Sequence, residues 1–336
     1  MYILITGGLG YVGTHLTIRL IEKGFNVLIV DNLVNSQINN LSNIQKIVKI
    51  KESSTRLIFY NFDIGNTSAL RKVFKSFKIL FVVHLAGYKS VPESIVKPIE
   101  YYENNFINSI KLIKIMEEFE CYKILFSSSA SVYCANELAP FKEDSLIGPI
   151  NPYSESKFYT ENLLRNQRKT NKNWSIGILR YFNPVGSHSS GLIGDNPIGR
   201  VNNLMPLICK AANKEIESIK VFGNDYETPD GSCIRDFIHI EDLISGHEKL
   251  ITLMINSKET ALTLNLGTGK GISVLEVIDT FRKVNRVDFP IIFDERRAGD
   301  IASSFADVSL SKKVLSWEAK YNLEEMCRDS WNFAKK

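Results

Sequence analysis

The feature that most constrains the fold lies at the start of the chain, where an apolar run leads into a glycine-rich loop and then into a helical pattern. The run from Tyr2 to Ile5 (YILI) is typical of a buried strand, and Thr6 to Gly13 (TGGLGYVG) follows it directly. Apolar residues then recur at helical spacing until Lys23 and Gly24, which are typical of a helix C-terminus. This order predicts the beginning of a doubly wound α/β sheet.

The glycines of this loop predict a dinucleotide site. Gly7, Gly10 and Gly13 have the spacing G-x-x-G-x-x-G, which lets the backbone turn tightly and approach a pyrophosphate at the start of a helix. A second apolar run, Asn26 to Asp31, ends in a carboxylate that suits two ribose hydroxyls and would repel the extra phosphate of NADP. We therefore expect NAD. The alternative is that the glycines only pack helix on sheet and Asp31 is a turn residue.

Further apolar runs alternate with helical patterns. The strand-like runs cover 57–63, 79–86, 123–127, 175–182 and 262–266, and the helix-like segments cover 67–76, 99–120 and 153–168. This alternation predicts an α/β fold, with a Rossmann-type doubly wound parallel sheet and a smaller α/β lobe. We expect the first domain over 1–183, with the strand near 262–266 returning to its sheet, and the second lobe mainly over 184–336.

Composition favours a soluble enzyme over a nucleic-acid binder. The formal net charge is only +4, and no basic stretch is interleaved with aromatic residues, so nucleic acid is not implied. Five widely spaced cysteines without a C-x-x-C pattern indicate neither a disulfide framework nor a metal site. We see no cationic leader and no apolar run of 18 residues, so we expect a cytoplasmic protein that does not enter the membrane.

A candidate acid/base pair lies in the segment 150–157 (INPYSESK). Tyr153 and Lys157 are four residues apart at a predicted helix start, which places the phenol near the ammonium. A nearby positive charge favours the ionised form of a phenol, whose reference pKa of about 10 otherwise makes it a poor base. The alternative for this short pattern is a solvated helix face.

Polar residues follow several of the predicted strands, at the edge where open parallel sheets bind their ligands. They include Asp31 with Asn32, Asp63 with Ile64, and Ser127 to Ser129. Serines after a strand are often turn residues only. Beside Tyr153, however, a serine hydroxyl could share a hydrogen bond with the substrate oxygen.

Together these motifs resemble the extended short-chain dehydrogenase/reductase superfamily, and within it the nucleotide-sugar 4-epimerases. The resemblance runs from Met1 to at least Trp331. The stretches that carry it are GGLGYVG at 7–13, DNL at 31–33, EYYENN at 100–105, SSSASVY at 127–133, LRYFNPVG at 179–186, NNLMP at 202–206, FGNDY at 222–226, RD at 235–236 and RR at 296–297.

The resemblance implies reversible 4-epimerisation of UDP-glucose and UDP-galactose through a 4-keto intermediate, with tightly bound NAD. Tyr153 would take the proton of the sugar 4-hydroxyl, Ser129 would bridge the same oxygen, and Lys157 would hold the nicotinamide ribose. A homodimer is also implied, in which the helices 99–120 and 153–168 pair as a four-helix bundle. The first domain would bind NAD and the second lobe the nucleotide sugar.

The resemblance also implies the remaining site residues, and Lys89 among them would lie near the cofactor's phosphates. Those implied for NAD are Gly7, Gly10, Tyr11, Val12, Gly13, Asp31, Asn32, Asp63, Ile64, Leu85, Ala86, Gly87, Lys89, Asn104, Ser127, Tyr153, Lys157, Tyr181 and Phe182. Those implied for the UDP-sugar are Ser129, Tyr153, Asn183, Asn203, Leu204, Phe222, Arg235, Val274, Arg297, Asp300 and Ser304.

Ser304 bears on the range of sugars. The resemblance to the 4-epimerases implies that residue size at this position matters. Family members restricted to glucose and galactose have a bulky tyrosine there, whereas members that accept N-acetylated sugars have a small residue. Ser304 therefore predicts activity on UDP-N-acetylglucosamine and UDP-N-acetylgalactosamine as well. The alternative is that neighbouring side chains fill the space.

Three other functions compete with this interpretation. A 4,6-dehydratase needs an acid and a base next to the strand-end hydroxyl, where this chain has Ala130 and Ser131, so elimination is disfavoured. A 4-epimerase for UDP-glucuronate needs only a different partner for the C6 carboxylate and stays open. A non-catalytic NAD-binding regulator would not need Ser129, Tyr153 and Lys157 together.

Overall fold

The computed structural model describes residues 1–198, 202–257, 260–297 and 299–335. The strands are β1 (Tyr2–Thr6), β2 (Asn26–Asp31), β3 (Leu57–Asn61), β4 (Ile79–His84), β5 (Lys123–Ser129), β6 (Ser175–Tyr181), β7 (Asn183–Val185), β8 (Ile219–Phe222), β9 (Ile234–Arg235), β10 (Phe237–His239), β11 (Ala261–Leu266), β12 (Ile272–Ser273), β13 (Ile291–Asp294) and β14 (Ser303–Ser304).

The α-helices are α1 (Tyr11–Glu22), α2 (Asn39–Ile47), α3 (Thr67–Ser76), α4 (Val91–Val96), α5 (Pro98–Tyr101), α6 (Asn108–Glu118), α7 (Pro152–Thr170), α8 (Leu204–Ala212), α9 (Ile240–Asn256), α10 (Val274–Asn285), α11 (Ser309–Leu315) and α12 (Leu323–Ala334). A π-helix (Tyr102–Ile107) joins α5 to α6, and a 3₁₀ turn (Ala130–Val132) follows β5. Within the described ranges, no helix combines the length and the apolar character needed to cross a membrane.

Seven strands form the main sheet, in the order β11-β6-β5-β4-β1-β2-β3. Strand β1 pairs in parallel with β2 and with β4, and the pairs β2–β3 and β4–β5 are parallel as well. The order 3-2-1-4-5-6 is that of a doubly wound Rossmann sheet, here extended by β11. The fold class predicted from the sequence is confirmed.

The sheet is buried because helices supply apolar side chains to cover it. Leu4, Leu28, Val82 and Ile124, from the four central strands β1, β2, β4 and β5, join one core cluster with side chains of the covering helices. Strands covered on both faces lose the polar alternation of a half-exposed sheet. This is why β1 and β2 appear in the sequence as continuous apolar runs.

The chain divides into two compact units. The first unit comprises 1–132, 147–180 and 247–264, and the second comprises 133–146, 181–246 and 265–336. The second unit has its own core, which includes Val221, Phe237 and Phe281. Its small sheets have the strand orders β10-β7, β12-β9-β14 and β13-β8.

The segment 99–120, predicted as one helix, is broken by the π-helix. Asn105 lies in this π-helix and is buried. Its side-chain amide accepts from the Tyr88 N–H at 2.7 Å and donates to the Tyr88 carbonyl oxygen at 3.0 Å. A π-turn adds a residue to the helix without disturbing the apolar periodicity on either side. The sequence pattern therefore does not reveal it.

Helix α2 and most elements of the second unit were not predicted from the sequence. Helix α2 has only nine residues and buries only Ile44 completely, so its apolar pattern is too short to stand out in the sequence. In the segment 183–236, interpreted as loop-rich, the structure contains β7, α8, β8 and β9. These strands are only two to four residues long, too short for an alternating pattern to stand out.

Helix α7 starts with a well-defined cap. The Asn151 side chain accepts from the Ser154 N–H at 2.9 Å, and the Ser154 hydroxyl accepts from the Asn151 N–H at 3.3 Å. Pro152 takes the first helical position, where its missing N–H has no intrahelical partner to lose. These local interactions fix where the helix begins, and with it the position of Tyr153.

Helix α7 is attached to the sheet by a buried carboxylate. Glu161, with no exposed side-chain surface, accepts from Arg180 on β6 at 3.0 Å (Nε) and 2.8 Å (Nη2). It also accepts from the Arg165 guanidinium at 2.7 Å and from the Ser128 hydroxyl on β5. Burial acts to raise the pKa of Glu161, but the Arg180 and Arg165 guanidiniums and the Ser128 hydroxyl outweigh it and lower the pKa.

We predict that Glu161→Gln destabilises the protein by about 3–5 kcal/mol at pH 7, because it leaves Arg180 buried without its charge partner. Since the folded-state pKa of Glu161 lies below its unfolded value, its contribution is present at neutral pH. It is lost as the pH falls below the ordinary glutamate value of about 4.3 and through the folded pKa. Urea unfolding of wild type and variant at pH 7 and at acid pH measures this difference.

The matched control is Glu318→Gln, which removes an exposed glutamate whose ion pair with Lys312 spans 2.7 Å. An exposed pair contributes little to stability, so this variant should unfold at the wild-type urea concentration. Equal effects of the two substitutions would contradict the role given to Glu161. So would a Glu161→Gln deficit that persists unchanged into acid.

Candidate active site

The glycine loop between β1 and α1 has no room for side chains at two of its glycines. Gly7 has a φ of +70°, and a Cβ there would lie 2.8 Å from the Ala86 nitrogen. A Cβ on Gly13 would lie 2.3 Å from the Gly7 oxygen. Gly10 caps α1 without a side-chain hydrogen bond, in contrast to Asn151 at the start of α7. A bound pyrophosphate can take the place of that missing cap.

Two carboxylates lie at this edge of the sheet: Asp31 is the last residue of β2, and Asp63 follows β3. Asp31 accepts from the Leu9 N–H at 3.0 Å, from the Leu33 N–H at 2.9 Å and from the Ser36 hydroxyl at 2.7 Å. A carboxylate has about four acceptor positions, so Asp31 retains capacity for a ribose hydroxyl. Asp63 accepts from the Asn32 amide at 2.7 Å, which joins the second and third strand ends.

The end of β4 completes this edge of the sheet. Leu85 and Ala86 donate from their backbone N–H groups to the Thr6 carbonyl and hydroxyl oxygens, at 3.1 and 3.3 Å. A Cβ on Gly87 would lie 3.6 Å from the Lys157 ammonium nitrogen. The strand-end segment after β4 therefore contacts both the glycine loop and the candidate acid/base helix.

The other residues implied for the cofactor occupy varied positions. Ile64 is buried after β3, and Tyr11 and Val12 open α1. Asn104 donates to the Asn105 side chain at 2.9 Å, and Lys89 is exposed. Tyr181, at the end of β6, and Phe182 are buried in the second unit.

Each of the three consecutive serines at the end of β5 interacts with a different residue of α7. The Lys157 ammonium donates to the Ser127 carbonyl oxygen at 2.8 Å, and the Ser128 hydroxyl donates to Glu161. The Ser129 hydroxyl is near enough to the Tyr153 phenol to act on its pKa, which it lowers. The structure thus brings together the three residues that the sequence singled out for acid/base chemistry.

The electrostatics of this cluster are set by burial. Lys157 is only 6% exposed, and burial lowers its pKa to about 8, so it is mostly protonated at neutral pH. Its nitrogen lies 5.9 Å from the centre of the Tyr153 ring. Burial also raises the pKa of Tyr153, while the hydrogen bond from Ser129 acts to lower it. A phenolate at this position therefore depends on the donors and positive charges around it.

His84 connects the glycine loop to the π-helix segment as a neutral side chain. Burial, together with the charge of Lys157, lowers its pKa to about 3. The Ser109 hydroxyl donates to the Asn105 carbonyl oxygen, so it accepts from His84 Nε2 at 2.8 Å. His84 Nδ1 then accepts from the Thr6 hydroxyl at 2.7 Å. This assignment satisfies every member of the chain without a buried charge.

Sequence reasoning missed Glu161 and Arg180, and with them the partner of Ser128, although two signals were present. Glu161 continues the four-residue spacing of Tyr153 and Lys157 along one face of α7. Arg180 is the one charged residue in the otherwise uncharged and wholly buried β6. A charge inside such a strand needs a buried partner.

In the second unit, Arg235, Asp300 and Ser304 lie together. The Arg235 guanidinium donates to Asp300 at 3.2 Å and to the Ile301 carbonyl oxygen at 2.8 Å. Ser304 on β14 is the register partner of Arg235 on β9. Buried Asp236 fixes this arrangement, since its N–H donates to the Ser304 carbonyl oxygen at 3.0 Å and its carboxylate accepts from the Ala306 N–H at 3.1 Å.

A second pair in this unit is Phe222 and Arg297, whose guanidinium carbon lies 3.8 Å from the ring centre. The remaining implied residues are dispersed over other elements of the second unit. Asn183 opens β7, Asn203 caps α8 and donates to Asp195 at 3.1 Å, Leu204 begins α8, and Val274 begins α10.

Comparison with known proteins shows the family of the chain. The family model described as GDP-mannose 4,6 dehydratase matches residues 4–330. The chain is 44% identical over 333 residues to the UDP-glucose 4-epimerase of Bacillus subtilis (strain 168), covering 99% of this chain and 96% of that relative.

Two solved structures are similar over nearly the whole chain. The UDP-glucose 4-epimerase from Bifidobacterium longum, in complex with NAD+ and UDP, has a TM-score of 0.94 at 40% identity, covering 99% of this chain and 98% of that one. The UDP-Glc/GlcNAc 4-epimerase from Campylobacter jejuni has a TM-score of 0.85 at 32% identity, covering 99% of each. This chain therefore belongs to the NAD-dependent epimerase/dehydratase family of the extended short-chain dehydrogenases/reductases and, within it, to the UDP-glucose 4-epimerases.

Proposed function

We propose that this protein interconverts UDP-glucose and UDP-galactose, with Tyr153 as the acid and base at the sugar 4-oxygen. The observation that carries the proposal is the cluster at the end of β5. There the ring centre of Tyr153 lies 5.9 Å from the buried ammonium of Lys157, and the nearby Ser129 hydroxyl acts to lower the pKa of the phenol. The same unit contains the glycine loop that fits a pyrophosphate.

Each residue of the cluster has a separate task. Tyr153 takes the proton from the sugar 4-hydroxyl and returns it at the end of the turnover. Ser129 donates a hydrogen bond to the oxygens involved, and Lys157 favours the phenolate through its charge and binds the nicotinamide ribose. NAD, when bound, accepts a hydride from sugar C4 and gives it back.

Most of the residues that would hold NAD lie at the ends of the parallel strands, along one edge of the sheet. The pyrophosphate binds at Gly7 to Gly13, and Asp31 receives the adenosine ribose. Asn32 and Asp63 would contact the adenosine half of NAD, and Lys89 would bind near the phosphates. Ile64, Leu85, Ala86, Gly87, Asn104, Ser127, Tyr181 and Phe182 complete the proposed set.

The second unit supplies the proposed UDP contacts. Arg235 and Arg297 have planar guanidiniums that bind phosphate oxygens in pairs. Asp300 accepts from Arg235 and can orient it toward the diphosphate. Asn183, Asn203, Leu204, Phe222 and Val274 contribute the remaining contacts.

The first test is proton NMR of UDP-galactose incubated with the purified protein and no added cofactor. We expect the gluco anomeric signal to appear. Tyr153→Phe should lower turnover by at least about 100-fold and leave NAD bound, because it removes only the proton acceptor.

The control for this variant is Tyr159→Phe, which removes an exposed phenol hydroxyl from the same helix and should keep wild-type turnover. A fully active Tyr153→Phe would contradict the role of Tyr153. Failure of the wild type to convert UDP-galactose, even with NAD supplied, would contradict the function itself and favour the UDP-glucuronate or regulatory alternatives.

The proposal extends to N-acetylated sugars because Ser304 is small. Position 304 lies opposite Arg235, one of the proposed phosphate ligands, so a bulky side chain there would narrow the space around the substrate. The structurally similar protein from Campylobacter jejuni is itself a UDP-Glc/GlcNAc 4-epimerase.

We predict conversion of UDP-N-acetylgalactosamine in the same NMR assay. Ser304→Tyr should reduce it at least about 10-fold and leave UDP-galactose turnover unchanged, because the added ring removes the volume that the acetyl group occupies. A wild type that converts UDP-galactose but neither acetylated sugar would refute this extension. UDP-glucuronate in a parallel tube tests the remaining epimerase alternative.

A homodimer is proposed from apolar side chains exposed on α4, α5, the π-helix and α7. Ile95, Val96 and Ile99 are 58%, 79% and 71% exposed, and Ile107 and Tyr159 are each 41% exposed. Several exposed apolar residues on neighbouring elements are typical of an interaction surface. The chemistry of this face suits a second copy of itself, since a two-fold interface pairs the same patch from both subunits.

We predict that Ile99→Glu shifts the protein from dimer to monomer in sedimentation velocity, because the interface would have to bury a charge. Leu138→Glu is the control, since Leu138 is 89% exposed in a loop of the second unit. A wild type that sediments as a monomer at micromolar concentration would contradict the dimer. The cytoplasmic location and the division of NAD and sugar binding between 1–183 and 184–336 also stay predictions.

A further inference from the structure

The geometry points to Ser131 as a positioning residue that holds the Ser129 hydroxyl in the orientation of a hydrogen-bond donor to Tyr153. This inference rests on the proposed function and deepens it. Ser131 stands in the 3₁₀ turn directly after β5, at a position that drew attention in the sequence only because it lacks the carboxyl group of a dehydratase.

Ser131 contacts Ser129 twice. Its backbone N–H donates to the Ser129 oxygen at 3.2 Å, and its hydroxyl donates to the same oxygen at 2.9 Å. A serine hydroxyl has two acceptor positions and one proton to donate. Ser131 therefore fills both acceptor positions of Ser129 and leaves only the proton for Tyr153.

This arrangement discriminates between the two forms of Tyr153. The neutral phenol would need an acceptor for its own proton, and Ser129 offers none. The phenolate needs donors, and Ser129 offers one that is polarised by the hydroxyl behind it. A partner that can bond only the charged form lowers the pKa of the group. Ser131 thus opposes the burial that disfavours the phenolate.

Among the described residues, no charged group on the elements packed against Tyr153 is a cause that raises its pKa, because burial alone does so. Lys157 on the same helix favours the phenolate, and His84 on β4 is neutral. The carboxylates of α4, α5, the π-helix and α7 are engaged elsewhere or exposed. Glu93 accepts from Tyr101, Glu100 pairs with Lys97, Glu103 is exposed, Glu155 accepts from Tyr102, and Glu161 pairs with Arg180.

The test compares pH profiles of kcat and KM for UDP-galactose in wild type, Ser131→Ala and Ser131→Thr. In Ser131→Ala one acceptor position on Ser129 becomes available to the neutral phenol. We expect the acid limb of kcat to move up by about 0.5–1 pH unit, the equivalent of one ordinary hydrogen bond. On the acid side of that limb, kcat of Ser131→Ala should be about 3- to 10-fold lower than kcat of the wild type, with KM unchanged. At high pH the two kcat values should be equal. Ser131→Thr keeps the hydroxyl and should restore the wild-type profile.

Ser128→Ala is the matched control, because it removes the neighbouring hydroxyl that bonds Glu161 and leaves Ser129 untouched. It should lower the unfolding temperature without moving the profile. An unchanged profile in an active Ser131→Ala enzyme overturns the inference, as does an equal shift in Ser128→Ala. Should Ser131→Ala not fold, Ser131→Cys, with a weak donor of similar shape, takes its place under the same criteria. An inactive wild type would instead contradict the proposed function.

Discussion

The attachment of helix α7 to the end of strand β5 is the interaction on which the rest of the site depends. Ser127 and Ser128 of the strand are hydrogen-bonded to Lys157 and Glu161 of the helix, and the next serine, Ser129, acts on the pKa of Tyr153 one helical turn before Lys157. The middle contact leads to Glu161, whose carboxylate is held ionised between two guanidiniums. A buried carboxylate requires such partners to remain charged. The same cluster therefore anchors the helix that carries Tyr153 and Lys157.

The cofactor side of the first unit is organised by a helix start that lacks a side-chain cap. Helix α1 begins at Gly10, which has no side chain that could cap the first N–H groups of the helix. The parallel sheet brings the residues after β2, β3 and β4 to the same edge. The His84 chain then joins this edge to the π-helix segment. The candidate phosphate loop and the candidate acid/base residues thus belong to the same unit.

Burial raises the pKa of Tyr153, and the neutral hydroxyls beside it oppose this effect. Burial makes the phenolate costly, and the ammonium of Lys157 is itself weakened by burial. Oriented hydroxyls supply stabilisation that costs no additional buried charge. A hydrogen-bond chain from Ser131 through Ser129 would act only on the ionised form. Such selectivity is what a group that both accepts and returns a proton needs.

The Rossmann sheet, the NAD-type glycine loop and the Tyr153–Lys157 pair could be predicted from the amino-acid sequence alone, because they depend on local periodicity and turn chemistry. The longer motifs resemble those of a known family, and this resemblance predicted the family to which the chain belongs. Only the tertiary structure revealed the π-helix at Asn105, the Arg180–Glu161–Ser128 cluster and the two contacts of Ser131 with Ser129. Glu161 and Arg180 are 19 positions apart in the chain, and their partnership exists only where α7 packs on β5 and β6. Pairings between distant residues follow from packing, which no local pattern encodes.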